Sequence, residues 1–173
     1  MTRLMKASVL TAVLFGASAS TATAQTAQGD IQALANVLTA LSVTAGDDLD
    51  FGLVVQGVAK TVDPSAPASG TTSGKFTIAG QASQAVSITF TALPANLTSG
   101  GNNLPITYTG IHHTSNTPAG GTAFVPSTGV ASTPLSGSGN LYIFLGGTVT
   151  PGGTQASGNY SGTVTMQVAY VGY

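Results

Sequence analysis

In QAVSITFTAL, residues 84–93, apolar and small polar side chains alternate one for one: Val86, Ile88, Phe90 and Ala92 fall on one side, Ser87, Thr89 and Thr91 on the other. Successive side chains of an extended strand point to opposite faces, so the stretch reads as a strand with one face in a core and one in water. A helix would scatter the same residues around its circumference. From residue 48 onward the period recurs. LPITYTG (104–110) carries Leu104, Ile106 and Tyr108, GKFTIAG (74–80) carries Phe76 and Ile78, and GTVTMQVAYVGY (162–173) alternates Val164, Met166, Val168 and Tyr170 with Thr163, Thr165 and Gln167. NLYIFLGGTVT (140–150) is apolar on both faces from Leu141 to Leu145, which suits a central strand covered on both sides. Between these runs lie DPSAPASGTTSG (63–74), TSGGNN (98–103), SNTPAGG (115–121) and PGGTQASGN (151–159), rich in residues that accept positive φ or preset a turn. Short strands with turns at this spacing predict an all-β sandwich rather than a βαβ fold.

The first 24 residues have the layout of a secretory signal: Arg3 and Lys6, then the apolar ASVLTAVLFGA (7–17), then a small-x-small site at Ala22-Thr23-Ala24. The apolar run is shorter than the ~20 residues a bilayer span requires, and no later run approaches that length, so no membrane span is expected. Export with cleavage after Ala24 would leave Lys60 and Lys75 against Asp30, Asp47, Asp48, Asp50 and Asp63, two positive charges against five negative. That balance offers nothing to hold a phosphate backbone, and nucleic-acid binding is not expected. There is no cysteine, so an exported domain of this composition is held by burial and backbone pairing alone. A surface of hydroxyls and amides with few charges gives little protection against association with copies of itself.

One stretch resists a single reading. In residues 25–45, between the signal and the first strand-like run, Ile31, Ala33, Ala35, Val37, Leu41 and Val43 share one side at period two, with Thr39 the polar interruption. At helical spacing Ile31, Leu34, Leu38 and Leu41 form a stripe, with Asp30 placed as an N-cap. Both periods are present.

DDLDFGLVVQGVAKTV (47–62), GKFTIAGQASQAVSITF (74–90) and GGTVTPGGTQASGNYSGTVTMQVAY (146–170) resemble a family of small bacterial secreted β-domains, itself similar to the spore coat protein U-like subunits of archaic chaperone–usher pili. The Asp-Leu-Asp-Phe-Gly core and the final Gly-x-Tyr-Ser-Gly-Thr-Val-Thr strand carry the resemblance most specifically. Spore coat U-like subunits commonly contain cysteines, and this chain has none. The resemblance implies an immunoglobulin-like sandwich lacking one strand, its groove filled by the N-terminal extension of the next subunit. On that reading residues 1–24 are the signal, 25–45 the extension and 46–173 the sandwich domain. Ile31, Ala33, Ala35, Val37 and Leu41 are the donor-strand residues, and Val164, Met166, Val168 and Tyr170 border the groove. The implied role is a structural subunit of a surface fibre, pilus or coat. Its partners would be copies of itself in an open polymer, a periplasmic chaperone and an outer-membrane usher; it would pass through the periplasm to the cell surface. Strand addition fits the physics, since an open groove leaves apolar side chains and unpaired backbone in water.

No reaction chemistry is apparent, and neither an enzyme nor a cofactor is expected. His112 and His113 are adjacent and would point to opposite faces of a strand, an arrangement poor for sharing one metal. Asp47, Asp48 and Asp50 supply oxygens that a hard cation could use but lack the glycine and glutamate spacing of an EF-hand, so capping of a strand entrance is the simpler reading. The aromatics Phe51, Phe76, Phe90, Tyr108, Phe144 and Tyr170 are expected in the core or lining the groove. A second class of function stays open: a self-contained secreted binding or adhesin domain, in which residues 25–45 complete the chain's own sandwich. A small outer-membrane barrel is suggested only by the terminal Tyr173.

Overall fold

A computed structural model describes residues 25–172. The signal reading of residues 1–24 and the terminal Tyr173 lie outside the described residues. The chain divides after Ala35. Residues 25–35 form no regular secondary structure and are exposed, with Ile31 at 96% and Leu34 at 87%.

The unit from Asn36 onward is built of ten strands: β1 (Ser42–Ala45), β2 (Lys60–Val62), β3 (Gly74–Ala79), β4 (Ala85–Ala92), β5 (Asn96–Ser99), β6 (Asn102–His113), β7 (Thr122–Phe124), β8 (Val130–Pro134), β9 (Asn140–Val149) and β10 (Thr165–Tyr170). Every pairing is antiparallel. In the larger sheet β9 is the hub: β3 and β2 follow one another along one side of it and β6 lies along the other. β1 is added outside β3, while β5 and β7 are added outside β6. The smaller sheet has the order β10-β4-β8, so β10 and β1 are both edge strands.

The all-β sandwich expected from the alternation is the architecture found. Ile78, Leu141, Ile143 and Leu145 of the larger sheet meet Val86, Ile88 and Met166 of the smaller one in a single core cluster. Val86 and Ile88 are completely buried, and Phe90 packs beside them against Phe124, their rings 6.2 Å apart and nearly parallel. The hub strand has both edges paired, and Leu141, Ile143, Phe144 and Leu145 are all buried. A second cluster of Phe51, Val62, Leu104, Ile106 and Val149 gathers at the end of the sandwich where the chain after β1 passes. The TSGGNN turn closes the β5–β6 hairpin with Gly100 and Gly101 both at positive φ, 54° and 86°.

Neither period of the ambiguous stretch is expressed in residues 25–41, and only Ser42–Ala45 enter a sheet, in register with Phe76–Ala79 of β3. An isolated strand has no ladder to satisfy its amides, and a lone helix this short is marginal in water, so neither forms without a surface to lie on.

Candidate functional site

The two edge strands define the feature of interest. β1 ends the larger sheet and β10 ends the smaller one, and between the chain from Ala45 to Phe51 and residues 160–164 runs an open seam in the sandwich. Two cavities of about 470 Å³ each occupy the seam. Leu49, Phe51, Leu97 and Tyr160 line both, so they form one cleft.

Period two places its walls. In Asp47-Asp48-Leu49-Asp50-Phe51, Leu49 and Phe51 share a face and turn inward. Phe76 of β3 and Ile106 and Tyr108 of β6 belong to the inward rows of their strands, while Val164 packs on the core from just before β10. β10 pairs with β4 from Thr165↔Ala92 to Tyr170↔Val86, and its other edge carries no strand. The inward row of this wall is Val164, Met166, Val168 and Tyr170, of which Met166 is buried and the others half-buried. Those four are the residues that the resemblance assigns to a groove border; of them Val164 lines a cavity of the seam, while Met166, Val168 and Tyr170 pack on the core.

The five proposed donor residues separate. Ile31, Ala33, Ala35 and Val37 are exposed, whereas Leu41 packs against the chain's own core cluster. Thr39 is tied down beside it. Its hydroxyl donates to Gln81 Oε1 at 2.9 Å, and its carbonyl accepts from the Tyr170 hydroxyl at 2.6 Å, which itself accepts from the Gln81 amide at 2.6 Å. The stretch assigned to the extension thus has two parts: residues 39–45 are held on the domain, and residues 25–38 make no strand.

Electrostatics play a small part. Lys75 and Asp47 form an ion pair at 3.3 Å on the cleft rim. Asp50 Oδ1 accepts from the Gly52 amide at 2.7 Å, a turn-capping contact, while its main chain bridges to Thr72. No group of three or more potential metal ligands occurs among the described residues. His112 and His113 end β6 far from the seam in the fold. His112 lies against Phe124 and within 3.4 Å of the Thr133 hydroxyl; His113 Nδ1 meets the Thr117 carbonyl oxygen at 2.7 Å. Burial, with the neighbouring His113 second, holds the His112 pKa below the ordinary histidine value. Desolvation pushes the Tyr108 phenol up.

Sequence reasoning did not single out Leu49, Leu97 or Tyr160. The Asp-Leu-Asp-Phe alternation contains the signal for Leu49. Leu97 and Tyr160 reach the cleft from a four-residue strand and a loop, where no periodicity accumulates.

A family model described as a domain of unknown function, DUF4402, matches residues 41–170. No curated protein and no solved structure matches the chain.

Proposed function

The chain belongs to the DUF4402 family, and on that premise we propose that it is a structural subunit of a bacterial surface fibre, pilus or coat, polymerising by laying its N-terminal arm in the cleft of a neighbouring copy. The arm is residues 25–38. The family domain begins at residue 41, so the arm precedes the shared domain rather than belonging to it.

The observation that carries the reading is a match of two apolar rows. Beside the free edge of β10 the inward row Val164, Met166, Val168 and Tyr170 spans seven residues, and Ile31, Ala33, Ala35 and Val37 repeat the same spacing over seven residues of exposed chain. At about 3.3 Å per residue both rows run close to 20 Å. A strand laid there would satisfy the unpaired edge of β10 and cover the apolar walls of the cleft. Burying Ile31 and Val37 would contribute roughly 1.5–3 kcal/mol each before ordering costs. Each copy gives its arm to one neighbour and receives one from another, so the contact is heterologous and propagates as an open filament. Export, a periplasmic chaperone shielding the cleft and an outer-membrane usher complete the proposal; they rest on the signal-like N-terminus and the resemblance to chaperone–usher subunits.

Expression of the full chain in a bacterial host, with unheated and heated denaturing gels and negative-stain electron microscopy, tests the reading. A ladder that survives detergent until heated, lost in the Ile31→Asp/Val37→Asp double variant, is expected. A compact monomer under all conditions overturns it. That outcome favours the second reading, a self-contained binding or adhesin domain, which draws support from the way Thr39–Ala45 complete the chain's own larger sheet.

A further inference from the structure

Tyr108 and Tyr160 line the cleft and Tyr170 ends β10 beyond it, and the three hydroxyls are not treated alike. Tyr160 donates to the Ala156 carbonyl at 2.8 Å and accepts from Gln155 Nε2 at 2.6 Å. Tyr170 is tied to Gln81 and Thr39. The Tyr108 hydroxyl is closed off from solvent and has no hydrogen-bond partner among the described residues. A buried hydroxyl without a partner costs stability, and phenylalanine would fill the same space without that cost. The empty domain therefore gains nothing from the oxygen.

The surroundings say where a partner would enter. Tyr108 stands on β6 opposite Gly147 of the hub strand, paired along that side. Across the cleft from it are Gly162, Thr163 and Val164, which have no ladder partner among the described residues, whereas Met166–Tyr170 are paired along β4. This short unpaired wall is the part of the cleft that shifts at least cost. An occupant that displaces this wall lies against Tyr108, which lines the same cavity.

We propose that the Tyr108 hydroxyl is held for the cleft's occupant: unpaired in the empty domain, it donates a hydrogen bond to a main-chain carbonyl of the arm of a second copy. The inference rests on the arm-in-cleft reading and adds the residue that recognises the arm. The inward row of the arm, Ile31, Ala33, Ala35 and Val37, has no polar side chain, so the acceptor is main chain. The two alanines keep that row shallow enough for a phenol to reach it. Val164, which opens the row the arm would lie along, lines the same cavity as Tyr108, so an arm laid there passes beside the phenol.

The test uses the full chain carrying Ile31→Asp and Val37→Asp, whose own arm no longer competes, titrated with a labelled peptide of residues 27–40 and read by fluorescence anisotropy. Tyr108→Phe is expected to weaken peptide binding about 2- to 12-fold, the range of one hydrogen bond, and to leave the melting temperature unchanged or higher. Tyr142→Phe, on β9 and outside the cleft lining, is the control and should bind as the parent does. Equal affinity for the parent and Tyr108→Phe overturns the inference and leaves the arm-in-cleft reading standing. A lowered melting temperature for Tyr108→Phe also overturns it, because the hydroxyl would then have a partner within the domain. No binding by the parent overturns the arm-in-cleft reading and the inference with it.

Discussion

Tyr170 shows how one side chain sets the boundary between the part of the N-terminal segment that belongs to the domain and the part that does not. Its hydroxyl links Gln81, 89 residues earlier, to Thr39, 131 residues earlier, and Leu41 packs beside it. Gly80 makes room for this junction: a Cβ there would come within 2.6 Å of the Tyr170 hydroxyl and 2.7 Å of Leu41. Tyr170→Phe should cost about 1–2 kcal/mol, two hydrogen bonds of ordinary net worth, seen as a lower urea midpoint with an unchanged slope. Amide exchange at Leu41 should accelerate with it. A midpoint equal to that of the parent would mean the latch holds nothing. The alternation placed Tyr170 on the correct face, but its hydroxyl partners were not legible, because contacts so distant in sequence leave no local pattern. A second residue-scale expectation concerns pH. His112 is half-buried against Phe124, and burial favours its neutral form, so its folded pKa lies below its unfolded one. Stability from this group is present above the unfolded value of about 6.5 and is lost as pH falls from there toward the folded pKa. His112→Gln should flatten the urea midpoint between pH 7 and pH 5.

Strands with clean alternation were readable, and those made by context were not. β4 and β9 were visible because Val86, Ile88 and Phe90, or the run Leu141–Leu145, signal burial on their own. β1, β2 and β7 have three or four residues each and exist because β3, β9 and β6 offer them an edge. β10 lies between these cases. The alternation runs from Val164, but the ladder begins at Thr165 with a register shift before Met166, leaving Val164 packed on the core yet outside the sheet. The wall before it, residues 162–164, carries no ladder pair, and no residue pattern announces that. Val168 lies opposite Ile88 and packs on the main core. Val168→Asp should therefore cost roughly 2–4 kcal/mol, as an unpaired charge set into an apolar site. A denaturant midpoint within error of the parent would show that the residue does not face the core. Gln167→Asp, one position earlier on the exposed face, should be near neutral and separates the effect of burial from that of added charge.

At the scale of the whole molecule, residues 25–38 supply no strand pair, and Ile31, Ala33, Leu34, Ala35 and Val37 among them are exposed, so the domain does not depend on them for its core. Residues 39–45 supply four register pairs to β3, the Leu41 contact and the Thr39 latch. Two truncations follow from that division. A chain beginning at Thr39 should melt within a few degrees of one beginning at Gln25 yet form no polymer, because the latch and β1 remain while the arm is gone. A chain beginning at Gly46 should lose more than about 2 kcal/mol, since it gives up the packing of the half-buried Leu41, the Thr39 latch and an edge strand together. If the loss of residues 25–38 alone unfolds the domain, the arm completes its own sandwich and the polymer reading fails at its premise. Beyond residue 24 Lys60 and Lys75 are the only Lys or Arg residues, so charge pairing would have little part in holding one copy to the next in the proposed polymer. Dissociation of the assembled form should accordingly change little between low and high salt, where an interface built on ion pairs would weaken steeply. It should respond strongly to a single apolar loss in the arm. Val37→Ala should speed it roughly 10- to 30-fold, the value of about 1.5–2 kcal/mol of lost burial, while Gln32→Ala, on the opposite row, leaves it unaltered.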